Sequence, residues 1–186
     1  MKILFISLGC DKNLADSEEM LGLLTGNGHE IVDSEEEADA IVINTCCFIH
    51  DAKEESVNTI LEMAEYKKTG TCKILIVTGC MAQRYKEEIT KEIPEVDAVL
   101  GTTSYGDIVK ALNEAEAGHV FQEFKDINAL PEDSGRRVIT TGGHFGYLKI
   151  AEGCDKHCTY CIIPSLRGKF RSVPEERLLK QAEYMA

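Results

Sequence analysis

Cys154, Cys158 and Cys161 form a CxxxCxxC run in AEGCDKHCTYCIIP, directly after an apolar, strand-like stretch. Three thiolates at this spacing can bind three irons of a 4Fe-4S cluster and leave the fourth iron open to a small molecule. A cluster used only for electron transfer ordinarily takes four. Two other chemistries use the same residue types. Zinc in a closed structural site wants four ligands, and His157 would supply the fourth only if its neighbours bent tightly. A disulfide framework suits small secreted chains, whereas this sequence starts directly into the strand-like KILFIS, without the charged and apolar regions of a signal peptide.

A second set of thiols is placed differently. Cys10, Cys46 and Cys80 stand in SLGC, INTC and VTGC, each just past the carboxyl end of an apolar run that reads as a buried strand. In a parallel sheet those ends share one edge, where α/β folds bind ligands. Three loops would bring three thiolates together, and Gly9 and Gly79 would let the backbone turn closely around a bulky group. A second cluster with three cysteine ligands is the sharper expectation; three buried cysteines acting as small hydrophobes is the plainer one. Cys72 lies at the amino end of its strand and is expected to stay out of the site. Cys47 neighbours Cys46, would point elsewhere, and is not counted among the ligands.

The elements that must position these residues alternate along the chain. Lys2–Ser7, Ile41–Asn44 and Lys73–Thr78 are short runs rich in Ile, Leu and Val, each followed by a helical pattern. The first helix is expected from Asp16, with Leu21 and Leu24 inward, to Gly26-Asn27-Gly28, and His29–Val32 as a further strand. The second is expected over Asp51–Tyr66 with Val57, Ile60, Leu61 and Ala64 inward, and the third over Gln83–Glu92. A strand at Val96–Leu100, a helix at Tyr105–Ala117 and a strand at Val120–Phe124 complete an α/β unit over 1–125, with a parallel sheet flanked by helices.

Residues 126–140 read as a linker, marked by Pro131, Glu132, Asp133 and Gly135. Residues 141–186 then start again. Tyr147–Ala151 is expected to be a strand with the cysteine run as its loop, and Ser172 with Glu175 fits a capping box, Pro174 suiting the first turn. Leu178, Leu179, Ala182 and Met185 follow at helical spacing. One strand and one helix cannot bury a core, so this second unit is expected to be incomplete.

Composition narrows the class. In 186 residues, 44% are hydrophobic and 28% charged, with no apolar run long enough to span a bilayer, which reads as a globular chain. Eight cysteines without an export signal suggest reduced thiols in the cytoplasm, available as metal ligands. A net charge of −12 argues against a chain that wraps nucleic acid by itself. Residues 1–135 hold 11 Lys and Arg against 27 Asp and Glu, and residues 136–186 hold 9 against 5, so the CxxxCxxC part is mildly basic. Arg167, Lys169 and Arg171 read as a solvated patch beside the cluster loop, with contact to an anion as the sharper alternative. Tyr160 either packs on the strand or lines a cofactor pocket. His29, His50, His119 and His144 have no metal-ligand partner at useful spacing and read as surface or turn residues.

With these residues in view the sequence resembles a known family. AEGCDKHCTYCIIP is similar to the radical S-adenosylmethionine signature, in which the middle aromatic, here Tyr160, lies near the cofactor. SLGCDKNLADSE, INTCCFIHDAKEES and VTGCMAQRY resemble the N-terminal domain of the methylthiotransferases, whose three cysteine ligands match Cys10, Cys46 and Cys80. The resemblance spans nearly the whole chain. GCDKN, YLKIAEGC and CIIPSLRGKFRS are closest to the RimO-type enzymes, which modify an aspartate of a small-subunit ribosomal protein. The sister group modifies an adenosine of transfer RNA and more often has a GCQMN-like stretch. Cys47 stands where such enzymes often have Gly, a departure that leaves the three ligands intact.

The resemblance implies two 4Fe-4S clusters and S-adenosyl-L-methionine. The cluster on Cys154, Cys158 and Cys161 would bind S-adenosylmethionine and reduce it to a radical that takes a hydrogen from the substrate carbon. The cluster on Cys10, Cys46 and Cys80 would hold the methylated sulfur and deliver it, the protein supplying ligation and position. Residues 141–186 would be the first strand and helix of a partial TIM-like barrel, which the family completes and follows with a small β domain. The chain alone is therefore expected to hold the cluster at Cys10, Cys46 and Cys80, with binding of the other left open, and to turn over poorly or not at all. The competing class is an iron-sulfur electron carrier or metal-binding module without catalysis.

Overall fold

The computed structural model describes residues 1–132 and 135–186; Asp133, read as part of the linker, lies outside the described residues. The apolar runs become strands β1 (Lys2–Ser7), β2 (Glu30–Val32), β3 (Ala40–Thr45), β4 (Ile74–Gly79), β5 (Ala98–Leu100) and β6 (Phe121–Glu123). They form one sheet in the order β2-β1-β3-β4-β5-β6. Every pairing is parallel. β3 and β4 are buried at every residue, which is why they read as unbroken Ile and Val runs rather than alternating ones.

Helices cover both faces: α1 (Asp11–Gly26), α2 (His50–Thr69), α3 (Cys80–Tyr85), α4 (Glu87–Glu92) and α5 (Ile108–Glu116). Successive strand residues point to opposite faces, so the sheet feeds two cores. Ile41, Ile43, Leu75 and Val77 pack with Ile60, Met63, Met81 and Ile89. Ala40, Val42, Ile74 and Ile76 pack with Met20, Leu24, Ile108 and Leu112 on the other side.

Several boundaries differ from expectation. α1 starts at Asp11, not Asp16, because the Leu14 N–H bonds Cys10 O at 3.0 Å and Asn13 turns its side chain inward onto Leu8 O and Thr45 O. The helix expected over Gln83–Glu92 is two helices, one beginning at Cys80, broken at Lys86 with φ 45°, which lets Ile89 reach the core. Tyr105–Asp107 is a single 3-10 turn before α5. Leu61 is 49% exposed, because it lies about 100° around α2 from buried Ile60.

Residues 136–140 run along α1. The Val138 N–H bonds Glu18 O at 3.0 Å. Tyr147–Ala151 is not a strand: β7 is only Ala151–Glu152, paired antiparallel with β8 (Arg171–Ser172), because Lys149 is drawn instead to Asp16. α6 (Ile163–Arg167) intervenes, and α7 (Glu175–Met185) follows. The capping box does not form: Ser172 sits in β8, Pro174 occupies the cap position, and no side chain caps α7. None of the described helices is long and apolar enough to cross a membrane.

Candidate metal centre at the sheet edge

β1 has β2 on one side and β3 on the other, so the chain changes direction across the sheet at β1. In open α/β sheets the crevice outside the strand ends at such a point is where ligands bind. Here it opens into a cavity of about 1080 Å³ lined by Gly9, Cys10, Lys12, Cys46, Cys80, Cys154 and Arg167, among others.

The three expected strand-end cysteines therefore share one cavity. Cys10 caps the start of α1, Cys46 directly follows β3, and Cys80 directly follows β4 and opens α3. Their strands are adjacent, and neighbouring strands lie about 4.8 Å apart, so the three exits span roughly 10 Å. Both glycines are required by contact. Gly9 has φ 95°, and a Cβ there would lie 2.6 Å from Cys46 Cβ; Gly79 has φ 91°, and a Cβ would collide with Asn44 Oδ1 and Thr45 O.

Hydrogen bonds fix the backbone of the site. The Cys46 N–H donates to Ser56 Oγ at 3.0 Å, and that hydroxyl donates back to Cys46 O at 2.8 Å. Cys80 Sγ donates to Asn13 Oδ1 at 3.8 Å. Burial pushes the Cys80 thiol up to about 11, against the opposing pull of Arg167. Cys72 is buried at the amino end of β4, its thiol on Ile74 O at 3.3 Å, away from the cavity. Cys47 packs into the core beside Ile43 and Met81.

Of the CxxxCxxC run, one cysteine reaches this cavity. Cys154 lines the cavity and its N–H bonds Gly168 O at 3.1 Å; Cys158 is exposed and Cys161 half-buried, joined by a 3.1 Å bond from Cys161 N–H to Cys158 O. His157 is exposed, with φ 48°. Tyr160 is 89% exposed and neither packs on a strand nor lines the cavity. Among the described residues no three His, Cys, Asp or Glu side chains converge as a finished metal cage. The donor chemistry nevertheless fits iron-sulfur groups: soft thiols from both sets lining one roomy cavity, with glycines at two turns.

Sequence reasoning put Arg167 in a solvated patch, and the structure corrects this. Arg167 is 4% exposed, bonded to Asp16 Oδ2 at 2.8 Å and Asn13 Oδ1 at 2.5 Å. Lys149 pairs with Asp16 and, at 2.7 Å, with Glu152. Burial opposes the Glu152 charge, but Lys149 and Arg167 outweigh it and bring its carboxyl down to about 2. No local signal marks Arg167, because its partners lie up to 154 residues away. Arg171 is half-buried and donates to Ala129 O at 3.2 Å, and Lys169 is exposed.

The sequence pattern of uncharacterized protein family UPF0004 matches residues 2–101, the segment that holds β1 to β5 and all three strand-end cysteines. The chain belongs to UPF0004. A protein from Lachnoclostridium phytofermentans called ribosomal protein uS12 methylthiotransferase RimO is 64% identical over 186 residues, which is 100% of this UPF0004 chain and 42% of that protein. Proteins of the same name from Clostridioides difficile and Symbiobacterium thermophilum are 50% and 47% identical, again over 100% of the chain and over 42% and 38% of their own lengths. This UPF0004 chain thus spans less than half the length of these curated relatives.

Proposed function

We propose that the chain supplies both cysteine sites of a radical S-adenosylmethionine methylthiotransferase that adds a methylthio group to the β-carbon of an aspartate in a small-subunit ribosomal protein. The observation that carries this reading is one cavity lined by Cys10, Cys46 and Cys80 at the sheet edge and by Cys154 of the CxxxCxxC run. The relatives' name supports a ribosomal protein as the substrate. The proposed division is a sheet unit over 1–125, a linker over 126–140 and the start of a radical S-adenosylmethionine domain over 141–186. The proposed place of action is the cytoplasm.

Cys10, Cys46 and Cys80 would hold one 4Fe-4S cluster, and Cys154, Cys158 and Cys161 the other, with Tyr160 near S-adenosyl-L-methionine. When bound, these groups supply the radical chemistry and the sulfur. The chain's own contribution is placement. The parallel sheet sets the spacing of three thiols, Gly9 and Gly79 keep Cβ atoms out of the approach, and Gly153 and Cys154 bring the start of the CxxxCxxC loop to the same cavity.

Anaerobic reconstitution tests the reading. About eight irons per chain are expected from two 4Fe-4S centres, and the triple variant C10A/C46A/C80A should halve that count. A count unchanged by the triple variant would rule out the sheet-edge site. In a protein extended to the relatives' length, S-adenosylmethionine should perturb the EPR signal of the reduced cluster, and an unaltered signal would leave an electron carrier. Mass spectrometry of the reaction products then settles the substrate: a methylthio group on adenosine of transfer RNA alone would overturn the ribosomal-protein assignment.

A further inference from the structure

Arg167 belongs to the segment after the CxxxCxxC run, yet its guanidinium lies among the loops of the other cysteine set. Its Nη2 donates to Asn13 Oδ1 at 2.5 Å, and the same oxygen accepts from Cys80 Sγ at 3.8 Å. The Asn13 amide nitrogen donates to Leu8 O and to Thr45 O, each at 2.9 Å. Leu8 stands two residues before Cys10, and Thr45 directly before Cys46. One buried amide thus touches all three cysteine loops, and the Arg167 bond fixes which way that amide faces, since a guanidinium only donates.

The charge is as informative as the geometry. Arg167 and Lys149 share two buried carboxylates, Asp16 and Glu152. Of these four groups Arg167 is the one bonded to the amide that holds Cys80. Two cations against two anions leave the group near neutrality, so changing either sign by one unit leaves a net field beside the buried Cys80.

We propose that Arg167 is a positioning residue for the strand-end cysteine set: through Asn13 it holds the Cys10 and Cys46 loops in register, and its positive charge, beside Cys80, stabilises the reduced form of an iron-sulfur cluster on Cys10, Cys46 and Cys80. This rests on the reading that those cysteines bind a cluster. Reduction adds negative charge to such a centre, and nearby charge and hydrogen bonds set its potential.

The test uses C154A/C158A/C161A, which leaves only the sheet-edge set, reconstituted anaerobically and titrated for midpoint potential by EPR. R167Q should shift the potential negative and E152Q, which removes a neighbouring anion with little change of shape, should shift it positive. R167K should stay near the parent. E152Q carries the test by itself if R167Q does not fold. About four irons per chain with the two shifts of opposite sign support the inference. Four irons with E152Q at the parent potential overturn it and leave the cluster reading standing. No iron in the parent overturns the cluster reading, and this inference with it.

Discussion

Arg137 donates both Nε and Nη2 to one oxygen of Glu18, at 2.8 and 2.6 Å, across 119 residues of sequence. The other oxygen of Glu18 accepts from the N–H and the hydroxyl of Thr140, at 2.7 and 2.9 Å. A carboxylate buried completely in α1 is therefore fully satisfied by the last residues of the linker, 136–140. Removing one partner of a buried pair strands the other charge, which costs about 3–5 kcal/mol. R137A is expected to lower urea stability by that amount. R137M/E18Q, which removes both charges and keeps an acceptor for Thr140, should lose less than half as much; an equal loss would show that the pairing is not the cause.

Glu19 gives the fold a pH dependence. It is buried in α1 and accepts from the Tyr105 hydroxyl at 3.0 Å. Burial raises its carboxyl above the ordinary 4.5, and nearby Asp16 adds to this against Lys149 and Tyr105. A raised folded value means the folded state holds the proton more tightly. Its contribution is full below the unfolded value and is lost as pH rises through the folded one. E19Q keeps the acceptor and never ionises, so it should match the parent in thermal melts near pH 4 and exceed it at pH 7. A constant difference across that range would contradict the assignment.

Gly79 and Gly28 separate strain from collision. Both have positive φ, 91° and 82°, but a Cβ at Gly28 meets nothing within 4 Å, whereas at Gly79 it strikes Asn44 and Thr45. G28A should cost about 1 kcal/mol and leave iron binding intact. G79A should cost roughly twice that or more and reduce iron at the Cys80 site, read by iron analysis beside urea denaturation. Equal effects of the two would mean that the close approach around Cys80 is unimportant.

Cys72 and Cys80 belong to one stretch of chain, at opposite ends of β4. C72A opens a small void, costs about 1 kcal/mol and is expected to keep the full iron count. C80A should lower that count in the C154A/C158A/C161A background. Loss of iron in C72A would refute the sheet-edge assignment of ligands.

The sheet was legible because its strands are buried on both faces, so the Ile and Val runs of β3 and β4 carry their own signal. That Cys10, Cys46 and Cys80 line one cavity was legible for the same reason, since each lies just past the end of a parallel strand. α1 was harder. Asn13, Asp16, Glu18 and Glu19 are polar, and residue-type reasoning turns them to solvent, yet all four are buried. What buries them is Arg137, Lys149, Arg167 and Tyr105, brought in from 86 to 154 residues away. The β7 region failed likewise, since the pull of Asp16 on Lys149 is invisible in the stretch that looked like a strand.

Cys46 and Cys80 are the next residues after the two central strands, whereas Cys154 follows a ladder only two residue pairs long. Amides in central strands exchange with solvent only when the whole domain opens, and those beside short ladders exchange through local opening. The two thiol sets therefore belong to different tiers of protection.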